Sequence, residues 1–104
     1  MKRYDIFITD LAERDILEIA RYISAELRAP DTALRFIDEI DEAVSKLELM
    51  PYKYALVLDE HLRGHGYRKV SIKNYIVFYR IDEDRRVVNV ERVLYGRRDW
   101  IRIL

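Results

Sequence analysis

The fold of this chain follows from the segment Tyr67–Asp99, YRKVSIKNYIVFYRIDEDRRVVNVERVLYGRRD. It contains three apolar runs rich in β-branched and aromatic residues, as is typical of strands: residues 67–72, 75–81 and 87–95. Lys73-Asn74 is a two-residue connection between the first two runs, in which we expect Asn74 to adopt a positive φ. The charged residues 82–86 connect the last two runs. The pattern predicts a three-stranded antiparallel meander.

The side chains of these runs can be sorted into two faces, because successive residues of a strand point to opposite sides of a sheet. In the last run, this alternation places Val90 and Val93 on opposite faces. The middle run is apolar on both faces except at Arg80, as expected of a central strand. We expect the apolar face of the sheet to be covered, and the other face, with its aromatic residues and cations, to be free to bind a macromolecule.

The residues before the meander predict the elements that cover the apolar face of the sheet. Residues 3–8 alternate weakly and predict a first strand. Thr9 and Asp10 are both N-cap candidates for a helix, with Glu13 as the capping-box partner of Asp10. Apolar residues then recur at helical spacing as far as Leu27, which predicts a helix with one buried stripe.

A second helix is predicted from Pro30 to the residues before Pro51, with its own apolar stripe. Two amphipathic helices joined by so short a connection lie antiparallel. The predicted order is β-α-α-β-β-β. This is an α+β fold in which a helical hairpin packs on one face of a mainly antiparallel four-stranded sheet.

The composition limits the class of protein. Half of the 104 residues are hydrophobic and 37% are charged, which is typical of a globular protein, and we expect one domain over residues 1–104. The absence of cysteine excludes disulfides and thiolate metal sites. No apolar run approaches the roughly 18 residues of a membrane span, and Asp5 and Asp10 come too early for a signal peptide. We expect a soluble, cytoplasmic protein.

The net charge is zero, but the charge is divided unevenly along the chain. Residues 1–50 carry 7 Lys and Arg against 12 Asp and Glu, whereas residues 51–104 carry 12 against 7. The predicted helices are therefore acidic and the predicted sheet is basic. A negatively charged partner should meet the sheet side.

Several motifs together resemble the RelE/ParE superfamily, the toxins of type II toxin-antitoxin modules. They are DLAERDILEIARYI in the first helix, ALRFIDEIDEAVSKLELMP in the second, GYRKVSIKNYIVFYRID in the first strand pair and RVLYGRRDW at the end. The resemblance covers nearly the whole chain. It implies a cognate antitoxin protein as partner, and it leaves the oligomeric state open.

The resemblance implies two possible targets. RelE-like toxins are ribosome-dependent mRNA endoribonucleases, with an arginine in the middle strand, a second after the last strand and a C-terminal tyrosine or histidine. Here Ile76 stands near the first position, Arg98 matches the second, and the apolar Ile103 or Leu104 replaces the third. The pattern favours the ParE-like branch, which acts on DNA gyrase. The alternatives are a RelE-like interferase with an altered site and a degenerate toxin that only binds its antitoxin.

Candidate site residues come from the basic sheet and its flanks. The residues predicted to bind the target are Arg68, Arg80, Arg92, Arg97, Arg98 and Trp100. If the chain is catalytic, the candidates are Arg68, Arg98 and the two histidines of a predicted flexible loop, His61 and His65. The alternative interpretation is that the cations solvate an exposed sheet and the histidines a loop. We predict no cofactor and no metal site.

Overall fold

The computed structural model describes residues 3–104. The strands are β1 (Asp5–Ile8), β2 (Arg68–Ile72), β3 (Tyr75–Asp82) and β4 (Val87–Tyr95), and the helices are α1 (Asp10–Arg21), α2 (Pro30–Lys46), α3 (Glu60–Gly64) and α4 (Trp100–Ile103). A π-helical turn at Tyr22–Glu26 extends α1. Within the described residues, none of the helices has the length and apolar composition that crossing a membrane requires.

The four strands form one sheet in the order β1-β4-β3-β2. β1 runs parallel to β4, and the other two pairs are antiparallel. The predicted α+β fold, with a helical hairpin on a mainly antiparallel sheet, is confirmed. α3 and α4 are additions that the sequence did not predict.

The main core lies between the helical hairpin and one face of the sheet, which we call the helix face. Ala12 on α1 and Ile40 on α2 are at most 1% exposed and belong to one cluster with Val77, Val90 and Val93 of the sheet. The apolar stripes of the two helices are therefore buried where they were predicted to be. Burying one valine or isoleucine side chain of this core stabilises the fold by roughly 1.5–3 kcal/mol.

A β-bulge in β4 changes which side chains face the helices. Phe78 pairs with Arg92 and Tyr79 pairs with Val90, so Glu91 is an extra residue in β4. The bulge shifts the alternation by one, which puts Val90 and Val93 on the same face. The prediction that they lie on opposite faces was wrong, because simple alternation cannot include an inserted residue.

The opposite face of the sheet, which we call the second face, is partly covered. Phe78 and Leu94 on this face are at most 1% exposed. They form a cluster with two buried residues of the preceding segment, Val57 and Leu62, against which Trp100 and other residues of the C-terminal segment pack. The expectation of a wholly free second face was wrong. The region around His61 and His65 is likewise not a loop, since it forms α3.

The connection from β1 to α1 is held against the bulge. Thr9 is the N-cap of α1: its Oγ1 accepts a hydrogen bond from the Ala12 N–H at 3.1 Å. The same hydroxyl donates to the Glu91 carbonyl at 2.9 Å. Thr9 therefore fills the role for which Asp10 was the other candidate, and the predicted capping box of Asp10 with Glu13 was wrong.

One turn further along α1, Asp15 joins the helix to β4. Its carboxylate accepts from the Arg92 guanidinium at 2.7 and 2.8 Å and from the Val93 N–H at 3.0 Å. Asp15 is only 8% exposed and is the buried charged residue of the described chain. The Val93 N–H lies beyond the end of β1, so its hydrogen bond to Asp15 satisfies a backbone donor that no strand pairs on this side of β4. α1 therefore protects the part of the β4 edge that β1 leaves unpaired.

Among residues 3–104, three residues other than glycine adopt a positive φ, each at the end of an element: Arg28 (52°), Lys73 (55°) and Arg86 (55°). In the β2–β3 connection it is Lys73, and not Asn74 as expected, that takes this conformation. Arg28 lies just after the π-helical turn, where the chain reverses into α2. The left-handed region costs a residue with a Cβ roughly 1–2 kcal/mol.

Arg28→Gly should therefore raise the free energy of unfolding by about 0.5–1 kcal/mol, since glycine adopts a positive φ without strain. Arg35→Gly is the matched control at an exposed position inside α2, and it should lower stability by about 1 kcal/mol. Urea denaturation of both variants measures the difference. Equal destabilisation by the two substitutions would contradict the assignment of strain to Arg28.

Candidate functional site

A groove opens at the end of the sheet where β3 begins and β4 ends. It has a volume of about 680 Å³. Its walls come from α1, the π-helical turn, the start of β3 and the residues around the end of β4: Glu18, Ile19, Tyr22, Leu27, Asn74, Tyr75, Tyr95 and Arg98. We call these residues the aromatic groove. A smaller cavity of about 190 Å³ continues it towards α2 and shares Leu27, Asn74 and Tyr75.

The π-helical turn shapes one wall of the aromatic groove. The Leu27 N–H donates to the Tyr22 carbonyl at 3.2 Å, five residues earlier. In an α-helix, residues five apart point roughly 140° away from each other. The i to i+5 hydrogen bond instead brings Leu27 close to a position above Tyr22. The result is two apolar side chains, 52% and 55% exposed for Tyr22 and Leu27, on the same side of the chain.

The position of Leu27 differs from its prediction. Its spacing from Ile23 fits the buried stripe of an α-helix, and Ile23 is indeed buried at 5% exposure. The π-helical turn rotates Leu27 out of that stripe. Ile23 and Leu27 are four residues apart whether the chain forms an α-helix or a π-helical turn. The sequence spacing alone therefore could not show which of the two forms.

Tyr75 forms the floor of the groove. Its ring makes edge-to-face contacts with Phe36 in the core, at 5.1 Å between centroids, and with Tyr95, at 5.7 Å. Burial raises the pKa of Tyr75, and the neighbouring Tyr22 and Tyr95 raise it further. A tyrosine hydroxyl is protonated at neutral pH even at its ordinary pKa, so the Tyr75 hydroxyl can donate a hydrogen bond.

Gly96 directs the chain around the end of the sheet. Its N–H donates to the Asn74 carbonyl at 2.8 Å, and a Cβ on Gly96 would lie 3.2 Å from that oxygen. The chain then turns, with the Arg98 N–H bonded to the Tyr95 carbonyl at 3.0 Å. This turn puts Arg98 at the rim of the groove. Arg97 and Arg98 are exposed, and neither forms an ion pair with any of residues 3–104.

The other predicted arginines have partners inside the chain. Arg92 is bound to Asp15, and this hydrogen bond raises its pKa. Arg80 is paired with Glu91 at 2.9 Å and stacks on an aromatic ring of the second face. Arg68 donates to the Tyr54 carbonyl at 2.6 Å. These cations lie on different faces of the sheet, so the structure does not bring the predicted target-binding residues into one patch.

Trp100 and the histidines lie on the side of the second face. Trp100 packs on Phe78, with 5.3 Å between ring centroids, and Lys69 lies over it at 5.5 Å. It is therefore partly buried, not the free aromatic residue expected. His61 and His65 are exposed with their rings 4.7 Å apart. His65 lines a cavity of about 440 Å³ with Arg80 at the opposite end of β3 from the aromatic groove.

A second feature that the sequence did not reveal is the environment of Glu83 in the β3–β4 connection. Its Oε1 accepts hydrogen bonds from the Tyr4 hydroxyl at 2.6 Å and the Tyr52 hydroxyl at 2.8 Å. These bonds, with a further contribution from the nearby Arg86, hold the pKa of Glu83 below its usual value. The three elements that meet at Glu83 are distant in the sequence, so no local motif marks the contact.

The comparisons with known proteins identify the family. The profile described as the ParE toxin of the type II toxin-antitoxin system parDE matches residues 6–100. This chain belongs to the ParE toxin family. The resemblance to the RelE/ParE superfamily that the sequence motifs suggested is confirmed. Comparison with curated protein sequences gives no significant match.

Solved structures show that the fold of this ParE-family toxin is that of toxin-antitoxin proteins. A chain of the RelBE2 toxin-antitoxin complex from Mycobacterium tuberculosis is 20% identical and superposes with a TM-score of 0.63, over 89% of this chain and 98% of that chain. A chain of the chromosomal ParDE system from P. aeruginosa is 19% identical with a TM-score of 0.72, over 88% and 95%. Both similarities concern the fold.

The hydrogen bonds to Glu83 make stability depend on pH. Because the pKa of Glu83 is lower in the folded protein than in the unfolded chain, its contribution is complete above the unfolded pKa, near 4.5, and is lost as the pH falls through the folded value. Glu83→Gln should therefore lose less stability than the wild type between about pH 6 and pH 3. Urea unfolding at several pH values measures this, with the exposed Glu13→Gln as control. A pH dependence of Glu83→Gln equal to that of the wild type would refute the assignment.

Proposed function

We propose that this ParE-family toxin inhibits growth by binding DNA gyrase, and that a cognate antitoxin neutralises it. It acts as a binding poison and not as a nuclease. The observation that carries the choice is the separation of the catalytic candidates. The argument for the antitoxin comes from the family and from the solved relatives, which are components of toxin-antitoxin complexes.

Cleavage of RNA would require an acid, a base and a cation around one phosphate, within hydrogen-bonding reach of the reacting atoms. His65 lies in the cavity that Arg80 lines, whereas Arg98 lies in the groove that Tyr75 lines. Tyr75 and Arg80 are five residues apart in β3, which corresponds to about 17 Å. This separation supports a function that needs a surface and not a catalytic centre.

The arginines differ in whether their guanidinium groups are available to bind a target. Arg92 is held in a nearly buried pair with Asp15, and its side chain is 18% exposed. Arg97 and Arg98 are exposed and have no ion-pair partner among the described residues. An unpaired surface guanidinium can bind a carboxylate or a phosphate without first losing an internal partner. Within the predicted set, Arg97 and Arg98 are therefore the main contacts to the target, and Arg92 is structural.

The purified protein should inhibit supercoiling by DNA gyrase and leave mRNA intact in a translating extract. The double variant Arg97→Ala/Arg98→Ala should need roughly tenfold more protein for the same inhibition, the size of effect that loss of an interface hot spot produces. Arg35→Ala, at an exposed position on α2, is the control and should inhibit like the wild type.

Ribosome-dependent cleavage of mRNA with unimpaired supercoiling would reject the gyrase proposal and favour the RelE-like alternative. Tight binding of the antitoxin without any growth inhibition would favour the degenerate toxin. Equal activity of the double variant and the wild type on gyrase would leave gyrase as the target and remove Arg97 and Arg98 from the interface.

A further inference from the structure

We infer that His61 and His65 of α3 form a bidentate site for a divalent transition-metal ion of the kind that prefers imidazole ligands, such as Zn²⁺. The inference goes beyond the proposed function, since neither histidine belongs to the surface proposed to meet gyrase. It is carried by the helical spacing of the two rings, by the absence of competing partners for them and by the firm attachment of α3 to the domain.

The fold of α3 brings the two imidazole rings together. His61 lies in the first turn of this helix, His65 is its C-cap, and the His65 N–H donates to the His61 carbonyl at 3.3 Å. Residues four apart lie on the same side of a helix, and here the ring centroids are 4.7 Å apart. The prediction of no metal site assumed a flexible loop, in which the same spacing would not hold the rings side by side.

Both imidazoles are available to a metal ion. His61 and His65 are exposed, and neither ring forms a hydrogen bond or an ion pair with any of residues 3–104. Metal ligation therefore breaks no internal hydrogen bond of these side chains. Imidazole nitrogen is a ligand that Zn²⁺ prefers, whereas Mg²⁺ and Ca²⁺ prefer oxygen. The pair therefore selects a transition-metal ion over the common alkaline-earth ions.

α3 is firmly attached to the domain, so the site is preorganised. Leu62, which lies between the two histidines in the sequence, is 0% exposed and packs in the cluster that contains Phe78. Asp59 caps the helix by accepting from the Leu62 N–H at 3.1 Å, and the Tyr67 N–H donates to the Leu62 carbonyl at 3.1 Å. Because the turn is held in this way, an ion that binds both rings orders little more than two side chains.

The surroundings of the pair do not repel a cation. The cavity that His65 lines carries one guanidinium, Arg80, and three carboxylates, Asp82, Glu83 and Asp84. Of these four charged groups, only Asp84 has no ion-pair partner among residues 3–104. Within the described part of the chain, no cluster of three or more histidine and carboxylate ligands is present. The two imidazoles therefore supply the protein ligands, and water completes the coordination of the ion.

The test uses the purified full-length protein without a polyhistidine tag, freed of metal by a chelator, and ZnCl₂ as the probe. Calorimetry should show a single Zn²⁺ bound per wild-type chain. His61→Ala and His65→Ala should each weaken binding at least about tenfold, since a single imidazole forms no chelate. The matched variant is Arg63→His/His65→Ala, which keeps two histidines but at a spacing of two residues, where they do not face each other on a helix. It should bind as weakly as the single variants.

Stability gives a second readout, because an ion that binds only the folded site stabilises the fold. Saturating Zn²⁺ should raise the midpoint of urea unfolding of the wild type and leave that of Arg63→His/His65→Ala unchanged. Failure of the wild type to bind Zn²⁺ would overturn the inference. Wild-type affinity in the spacing variant or in both single variants, or displacement of Zn²⁺ by excess Mg²⁺, would also overturn it, since the ion would then lie on other ligands. An equal shift of the midpoint in the wild type and the spacing variant would do the same.

Discussion

The structure depends on the contact between Asp15 of α1 and the bulged part of β4. The carboxylate binds the Arg92 guanidinium twice and also accepts from the Val93 N–H. A carboxylate this well buried is stable only if its hydrogen bonds are satisfied, and here three donors surround it. The same stretch of β4 is the part that β1 does not reach, so one side chain completes both the helix packing and the sheet edge.

The aromatic groove follows from that contact. Asp15 and the N-cap Thr9 fix the first turns of α1 against β4, and the position of the π-helical turn beyond them is then determined. The end of β4 supplies the other wall through Tyr95 and Arg98. The second face is covered independently by α3 and the C-terminal segment. The aromatic groove therefore lies at the end of the sheet and not on its face.

The sequence was sufficient for the order of the elements, because the helical stripes and the strand alternation are local and strong. It was not sufficient for the bulge at Glu91, the π-helical turn or the packing of Leu62 and Trp100 on Phe78, since these depend on contacts between distant residues. A signal for Asp15 was present: a charge three residues from Ala12 interrupts the buried stripe of α1. Its partner Arg92 was interpreted as a target-binding residue, and no local pattern showed that the two meet.

The most direct test is a double-mutant cycle on Asp15 and Arg92, measured by urea denaturation. We predict that Asp15→Ala lowers the free energy of unfolding by about 3 kcal/mol or more, since it leaves a nearly buried guanidinium and a backbone N–H without a partner. The coupling energy with Arg92→Ala should be about 1–3 kcal/mol. An Asp15→Ala variant within about 0.5 kcal/mol of the wild type, with no coupling to Arg92, would contradict the account.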